Sequence, residues 1–187
     1  MIIPPELKKE FQERAQKIRL IIMDVDGVLT EGHIILEDEK PEMKMFHAHD
    51  GIGLVMARRV GLKTAIISQR ESPAVQRRAR ELHIDYLYLK QFYKISAYEK
   101  LKHDHGYRDE EICYIGDDIP DLPVLRRVGL PVAVQNANWR IKQEIPFVTE
   151  TEGGRGAIRE VIEAILKAQG KLEQAIEKIL SPEDSRE

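Results

Sequence analysis

Short apolar runs recur along the chain, and each is too brief for a helix: Leu20-Ile21-Ile22-Met23, Thr64-Ala65-Ile66-Ile67, Tyr86-Leu87-Tyr88-Leu89, Ile112-Cys113-Tyr114-Ile115 and Val132-Ala133-Val134. A run without polar alternation suits a strand buried on both faces, as parallel sheets require. Helical patterns lie between these runs. Asp50 to Val60 carries apolar residues at 52, 55, 56 and 60 before Gly61, a C-terminal stop. Ser72-Pro73 pairs an N-cap with proline at the first helical position and opens a helix to about Leu82. Tyr93 to Lys102, Pro120 to Val128 and Ala157 to Ala168 complete the series. The alternation predicts an α/β fold, a doubly wound parallel sheet joined by right-handed crossovers. In such sheets, sites form beyond the carboxyl ends of the strands.

The 187 residues, free of repeats and flexible linkers, read as one domain over 1–187. It begins with a polar helix over about 1–17, with Leu7, Phe11, Ala15 and Ile18 on one face, and ends with a glycine-rich segment and helical tail over 153–180. One segment breaks the alternation. Gly32 to Leu36, a charged turn from Glu37 to Glu42, and Met43 to His47 read as a β-hairpin inserted after the first strand, over 32–47. It is too apolar to stand in water alone.

Composition narrows the function classes. Lys and Arg number 29 against 32 Asp and Glu, a net charge of −3, which argues against a dedicated nucleic-acid binder. Trp139 and the scattered basic residues offer no stacking surface either. No stretch approaches the ~20 apolar residues of a membrane helix, and the N-terminus lacks a signal peptide's long apolar core. One cysteine, Cys113, cannot close an intrachain disulfide, which points to a reducing compartment and a cytoplasmic protein. In a buried strand, Cys113 reads as packing rather than a nucleophile. His103-Asp104-His105 reads as a solvated helix end, and Gly51-x-Gly53 lacks the third glycine of a dinucleotide fingerprint.

Two acidic groups carry the chemistry. Asp24-Val25-Asp26-Gly27-Val28-Leu29-Thr30 follows the first apolar run, and Gly116-Asp117-Asp118-Ile119-Pro120-Asp121 follows the fourth. A calcium loop is a poor match, because its fifth and sixth positions here are Val28 and Leu29. If both strands are central and parallel, the carboxylates converge at one sheet edge. Two like charges 4 Å apart repel by roughly 4 kcal/mol at an effective dielectric of 20. Such a cluster needs a cation, and an all-oxygen set selects Mg²⁺. Ser68 at the end of the second run and Lys94 near the start of the crossover from the third run to the fourth add phosphate-binding groups.

In chain order, Asp24-x-Asp26, Ser68, Lys94 and Gly116-Asp117-Asp118-x-x-Asp121 resemble the four motifs of the haloacid dehalogenase superfamily of phosphohydrolases. The resemblance runs from about Leu20 to Leu172. His49-Asp50-Gly51-Ile52-Gly53, Gly153-Gly154-Arg155-Gly156-Ala157-Ile158-Arg159-Glu160 and Ala168-Gln169-Gly170-Lys171-Leu172 make the chain similar to its cap-lacking 3-deoxy-D-manno-octulosonate 8-phosphate (KDO 8-phosphate) phosphatases.

That resemblance implies Asp24 as nucleophile and Asp26 as general acid and base. It implies Mg²⁺ held by Asp24, the Asp26 carbonyl and Asp117, with Asp118 and Asp121 supporting from behind. Ser68 and Lys94 would neutralise the phosphoryl group. Asp26, His47, Ala48, His49, Asp50, Gly51, Arg70, Arg78 and Lys94 would contact an acidic sugar phosphate. Arg70 stands where relatives acting on nine-carbon keto-deoxy sugar 9-phosphates tend to have Glu, so it favours the eight-carbon substrate. The chain departs from the family pattern at His47-Ala48-His49, usually Asn-x-Arg, at Val55, usually Arg, and at Gln69, usually Gly. A homotetramer is implied as well; the apolar hairpin itself suits pairing between copies, and Gly153 to Gly156 reads either as a segment that reaches a neighbour's site or as a flexible hinge. A phospho-acceptor receiver module is the contrasting class; it would lack an acid two residues past the acceptor, so Asp26 discriminates against it.

Overall fold

A computed structural model of the chain describes residues 1, 3–36, 38 and 42–181. The strands β1 (Leu20–Met23), β2 (Lys63–Ile67), β3 (Tyr86–Tyr88), β4 (Ile112–Gly116) and β5 (Leu130–Ala133) form one parallel sheet in the order β3-β2-β1-β4-β5. Leu20, Ile21, Ile22 and Met23 are all fully buried, which explains why β1 lacks the polar alternation of a half-exposed strand. Burying each such side chain contributes roughly 1.5–3 kcal/mol.

The register positions the chemistry. Met23 lies opposite Ile66 on one side and Ile115 on the other. The next residue, Asp24, donates its N–H to the Ile115 carbonyl at 3.1 Å, so it emerges between the ends of β2 and β4. From β1 the chain winds outward through β2 and β3, then returns to place β4 on the other side. That reversal opens a crevice at the carboxyl ends of β1 and β4.

Helices flank the sheet. α1 (Lys8–Ala15), α2 (Ala48–Arg59), α7 (Ala157–Ala168) and α8 (Leu172–Leu180) pack together. α3 (Pro73–Glu81) sets Val75 and Ala79 beside Leu54 of α2. α4 (Lys94–His105) and α5 (Leu122–Leu125) form a second group. The expected N-terminal helix is split: a single 3₁₀ turn, Pro5–Leu7, precedes α1. The short α6 (Trp139–Glu144) was not legible as a periodic pattern; it starts where the Asn138 side chain accepts the Arg140 N–H at 2.9 Å. β5 begins earlier than its apolar run suggests, with Pro131 tolerated on an edge strand.

The hairpin is slighter than expected. Among the described residues its arms meet at one antiparallel bridge, Ile35 to Met43, and Ile34, Leu36, Met43 and Met45 remain exposed. A two-stranded ribbon without a packing partner has little to hold a longer ladder. Within the expected turn, Glu37, Glu39, Lys40 and Pro41 lie outside the described residues. Among the described residues, nothing between β1 and α2 forms a cap domain, and no helix is long and apolar enough to cross a membrane.

Candidate active site

After β1 the chain turns sharply. The N–H groups of Val28, Leu29 and Thr30 all point at the Val25 carbonyl, at 3.2, 2.9 and 3.0 Å. The turn leaves Asp24 at the base of a cleft of about 270 Å³, lined also by Asp26, Ser68, Arg70, Lys94 and Asp117. One oxygen each of Asp24, Asp117 and Asp121 lies within 4.8 Å of the others. The two acidic groups of the sequence therefore meet.

Lys94 organises the floor. Its Nζ lies 2.8 Å from Asp24 Oδ1 and 2.6 Å from Asp121 Oδ1, with only 3% of the side chain exposed. Burial works against its charge, but Asp24 and Asp121 outweigh it and hold Lys94 protonated. Asp121 is fully buried and fully engaged. Its Oδ1 also accepts the Tyr114 hydroxyl at 2.6 Å, while Oδ2 accepts the N–H of Asp117 at 3.0 Å and of Asp118 at 3.2 Å. It fixes the second acidic loop and has little left to offer a ligand.

Asp24 and Asp117 are different. Burial, reinforced by Asp121, pushes the Asp24 carboxyl up to about 7. Burial, then Asp24 and Asp121, push Asp117 up to about 8. The buried Oδ1 of Asp117 has no hydrogen-bond partner. Two carboxylates this poorly compensated, with an orphaned oxygen between them, fit a hard divalent cation.

Ser68, buried at the end of β2, accepts the Arg70 N–H on Oγ at 3.3 Å. Gln69, where a glycine was expected, is accommodated. Among the described residues, positive φ outside glycine is confined to His83 and Lys90, and the Gln69 amide turns outward to donate to the Phe92 carbonyl at 2.9 Å.

Asp26 stands at the rim and is held by Lys44, a residue not among those the sequence suggests. Lys44 forms an ion pair with Asp26 and another with Glu42, and Arg70 donates to Glu42 Oε2 at 2.6 Å. Strand-like alternation was the available signal: it sets Glu42 and Lys44 on one face of the arm and Met43 and Met45 on the other.

The remaining residues expected at the sugar do not all line this cleft. Asp50 is buried, and its Oδ1 accepts the Arg159 N–H at 3.0 Å. It is occupied in capping α7, a role that only the α2–α7 contact reveals. His47 caps its own helix, its Nδ1 accepting the His49 N–H at 3.3 Å, and His49 is exposed beside it. Arg78 pairs with Glu81 at 3.0 Å. Its guanidinium packs on Gly51, where a Cβ would come within 2.5 Å. With Lys44, Ala48 and Arg77, Arg78 lines a shallow depression of its own. Asp26, Arg70 and Lys94 line the acidic cleft.

In the glycine-rich segment, Gly153 and Gly154 pack on their own chain. Gly154 donates to the Val28 carbonyl at 2.8 Å, and Gly153 donates to Asn136 Oδ1 at 2.7 Å. A Cβ on Gly153 would fall 1.8 Å from the Gly27 carbonyl oxygen. Cys113 is fully buried, and burial pushes its thiol up, so it is no nucleophile. His103 and Asp104 pair at an exposed helix end, 3.2 Å apart.

Residues 62–162 match the family described as haloacid dehalogenase-like hydrolases. The chain is 41% identical over 162 residues to the 3-deoxy-D-manno-octulosonate 8-phosphate phosphatase KdsC of Escherichia coli K12, covering 87% of this chain and 86% of that one. Two solved structures are similar throughout. The 3-deoxy-D-manno-octulosonate 8-phosphate phosphatase of Yersinia pestis superposes with a TM-score of 0.86 at 41% identity, over 88% of this chain and 89% of that one. The corresponding enzyme of Moraxella catarrhalis, in complex with magnesium ion, phosphate ion and KDO, superposes at 0.89 with 38% identity, over 92% and 99%.

Proposed function

This chain belongs to the haloacid dehalogenase-like hydrolases and is a phosphatase of that family; on that premise we propose that it hydrolyses KDO 8-phosphate to KDO and phosphate with Mg²⁺. The meeting of Asp24, Lys94 and Asp117 at one crevice carries the reading.

Asp24 attacks phosphorus through a carboxylate oxygen. The bond to the sugar oxygen breaks, and an aspartyl-phosphate forms. Asp26, across the cleft mouth, gives its proton to the departing sugar oxygen. It then takes a proton from the water that cleaves the aspartyl-phosphate, which restores both carboxyl groups. Lys94 and the Ser68 hydroxyl neutralise the transferring group, where most of the rate gain in phosphoryl transfer arises. Asp24, the Asp26 carbonyl and Asp117 would hold the Mg²⁺, which would supply positive charge against the phosphate dianion and the carboxylates around it. Asp121 positions Lys94 and the 117–118 amides, and Asp118 stands beside the metal ligands.

Arg70 in the cleft supports a substrate with a carboxylate as well as a phosphate, since guanidinium groups suit carboxylates. Asp26 in the cleft supports turnover over a long-lived phospho-acceptor. The exposed Ile34, Leu36, Met43 and Met45 support a homotetramer built through the hairpin, and a single buried cysteine fits the cytoplasm. The test is phosphate release from a panel of phosphorylated keto-deoxy sugars, with Mg²⁺ and with chelator. Metal-dependent preference for the eight-carbon acid is expected; equal turnover of a nine-carbon 9-phosphate would overturn the assignment.

A further inference from the structure

Beside the phosphoryl site lies a pair of cations that already has an occupant. The Lys44 side chain is 1% exposed and that of Glu42 11%. The two Glu42 carboxylate oxygens are divided between two elements: Oε1 sits 2.5 Å from Lys44 Nζ on the same arm, and Oε2 sits 2.6 Å from Arg70 on the loop after β2. Both cations also face Asp26, Lys44 in direct contact and Arg70 Nε at 4.0 Å. Glu42 thus occupies both cations at once, one oxygen on each, so a further carboxylate reaching the same two groups must take its place.

We infer that Lys44 and Arg70 form the binding site for the substrate's carboxylate, and that Glu42 is a resident competitor which the substrate displaces. The inference rests on the proposed substrate, which carries an anion at each end. A molecule anchored by its phosphate presents its carboxylate to Lys44 and Arg70 at a high effective concentration and outcompetes Glu42. A free carboxylate has no such anchor and does not. Hydrolysis cuts the anchor, so Glu42 returns to the two cations and expels the sugar acid. The device therefore selects for doubly anionic substrates and speeds product release. Asp26 stays in place throughout, because it belongs to the catalytic step.

The test uses free KDO as an inhibitor of 4-nitrophenyl phosphate hydrolysis by the wild-type protein and Glu42→Gln. If Glu42 leaves the cation pair free between a third and a tenth of the time, its removal tightens KDO inhibition about three- to tenfold. Inhibition by inorganic phosphate, which needs only the phosphoryl site, should change less than twofold. Glu42→Asp should restore weak inhibition in part. Unchanged KDO inhibition in Glu42→Gln would overturn the inference, as would an equal tightening for phosphate, which would mean a general charge effect. A wild-type protein that does not hydrolyse KDO 8-phosphate would instead sink the assigned substrate, so the two failures are distinguishable.

Discussion

Gly27 and Asp117 share one volume. Gly27 takes φ = +91°, and a Cβ built there would lie 2.1 Å from Asp117 Oδ2. The turn that presents Asp24 and the loop that presents Asp117 can approach this closely only because residue 27 has no side chain. The positive φ reinforces the requirement, since an L side chain there adds about 1–2 kcal/mol of strain.

Gly27→Ala is therefore expected to displace Asp117 while the sheet survives. Misplacing a catalytic group by about 1 Å costs on the order of 10²-fold in rate. A comparable loss in kcat/KM on an aryl phosphate is expected, with a higher Mg²⁺ requirement and a folded far-ultraviolet spectrum. Full activity at ordinary Mg²⁺ would show that the two loops are not coupled.

Asp24→Asn removes the nucleophile and should abolish Mg²⁺-dependent phosphate release. Burial and Asp121 already disfavour the charged form of Asp24, while Lys94 retains Asp121. In chelator the variant should melt at the same temperature as the wild type or higher. Residual turnover near the wild-type rate would contradict the mechanism.

Glu111 gives a prediction about stability rather than activity. The Arg108 N–H, 2.9 Å away, and then the Arg19 and Arg108 guanidinium groups hold its carboxyl down to about 2, although burial works against them. A carboxyl depressed in the folded state favours folding above its ordinary value of 4.5, and that contribution is lost as pH falls toward 2. Glu111→Gln should cost about 1–3 kcal/mol at pH 7, and the gap from wild type should narrow between pH 4 and 2. Urea titrations across that range measure it; a gap that widens in acid would refute the assignment.

The exposed hairpin residues bear on assembly. Met45→Glu places a charge where apolar surface stands open and should shift the mass found by light scattering from tetramer toward monomer. A wild-type protein that is monomeric and fully active would remove the homotetramer altogether.

What was legible in the sequence follows a physical rule. Asp24, Ser68 and Asp117 each follow a run buried on both faces, so parallel pairing alone brings them to one edge. Lys94, at the first turn of α4, follows from the same alternation. Asp50 read as a sugar contact because its neighbours matched a motif, but its partner is the Arg159 N–H, remote in the chain. The Tyr114 hydroxyl reads as strand packing until Asp121 is seen folded back beneath it. Lys44 and Glu42 lie in a hairpin whose apolar residues dominate its pattern, although the alternation that exposes Met43 and Met45 turns these two charges inward. Gln69 showed that the turn after β2 needs no glycine, which residue type alone could not settle.

The closure of Gly153 and Gly154 on residues 27–31 has a consequence for biosynthesis. A nascent chain that has emerged only as far as α6 already carries Asp24, Lys94 and Asp117, yet the wall behind its first turn has not been made. Premature termination or a nick ahead of Gly153 should yield an inert fragment. The cell acquires this hydrolase only once the ribosome has passed the last of those glycines.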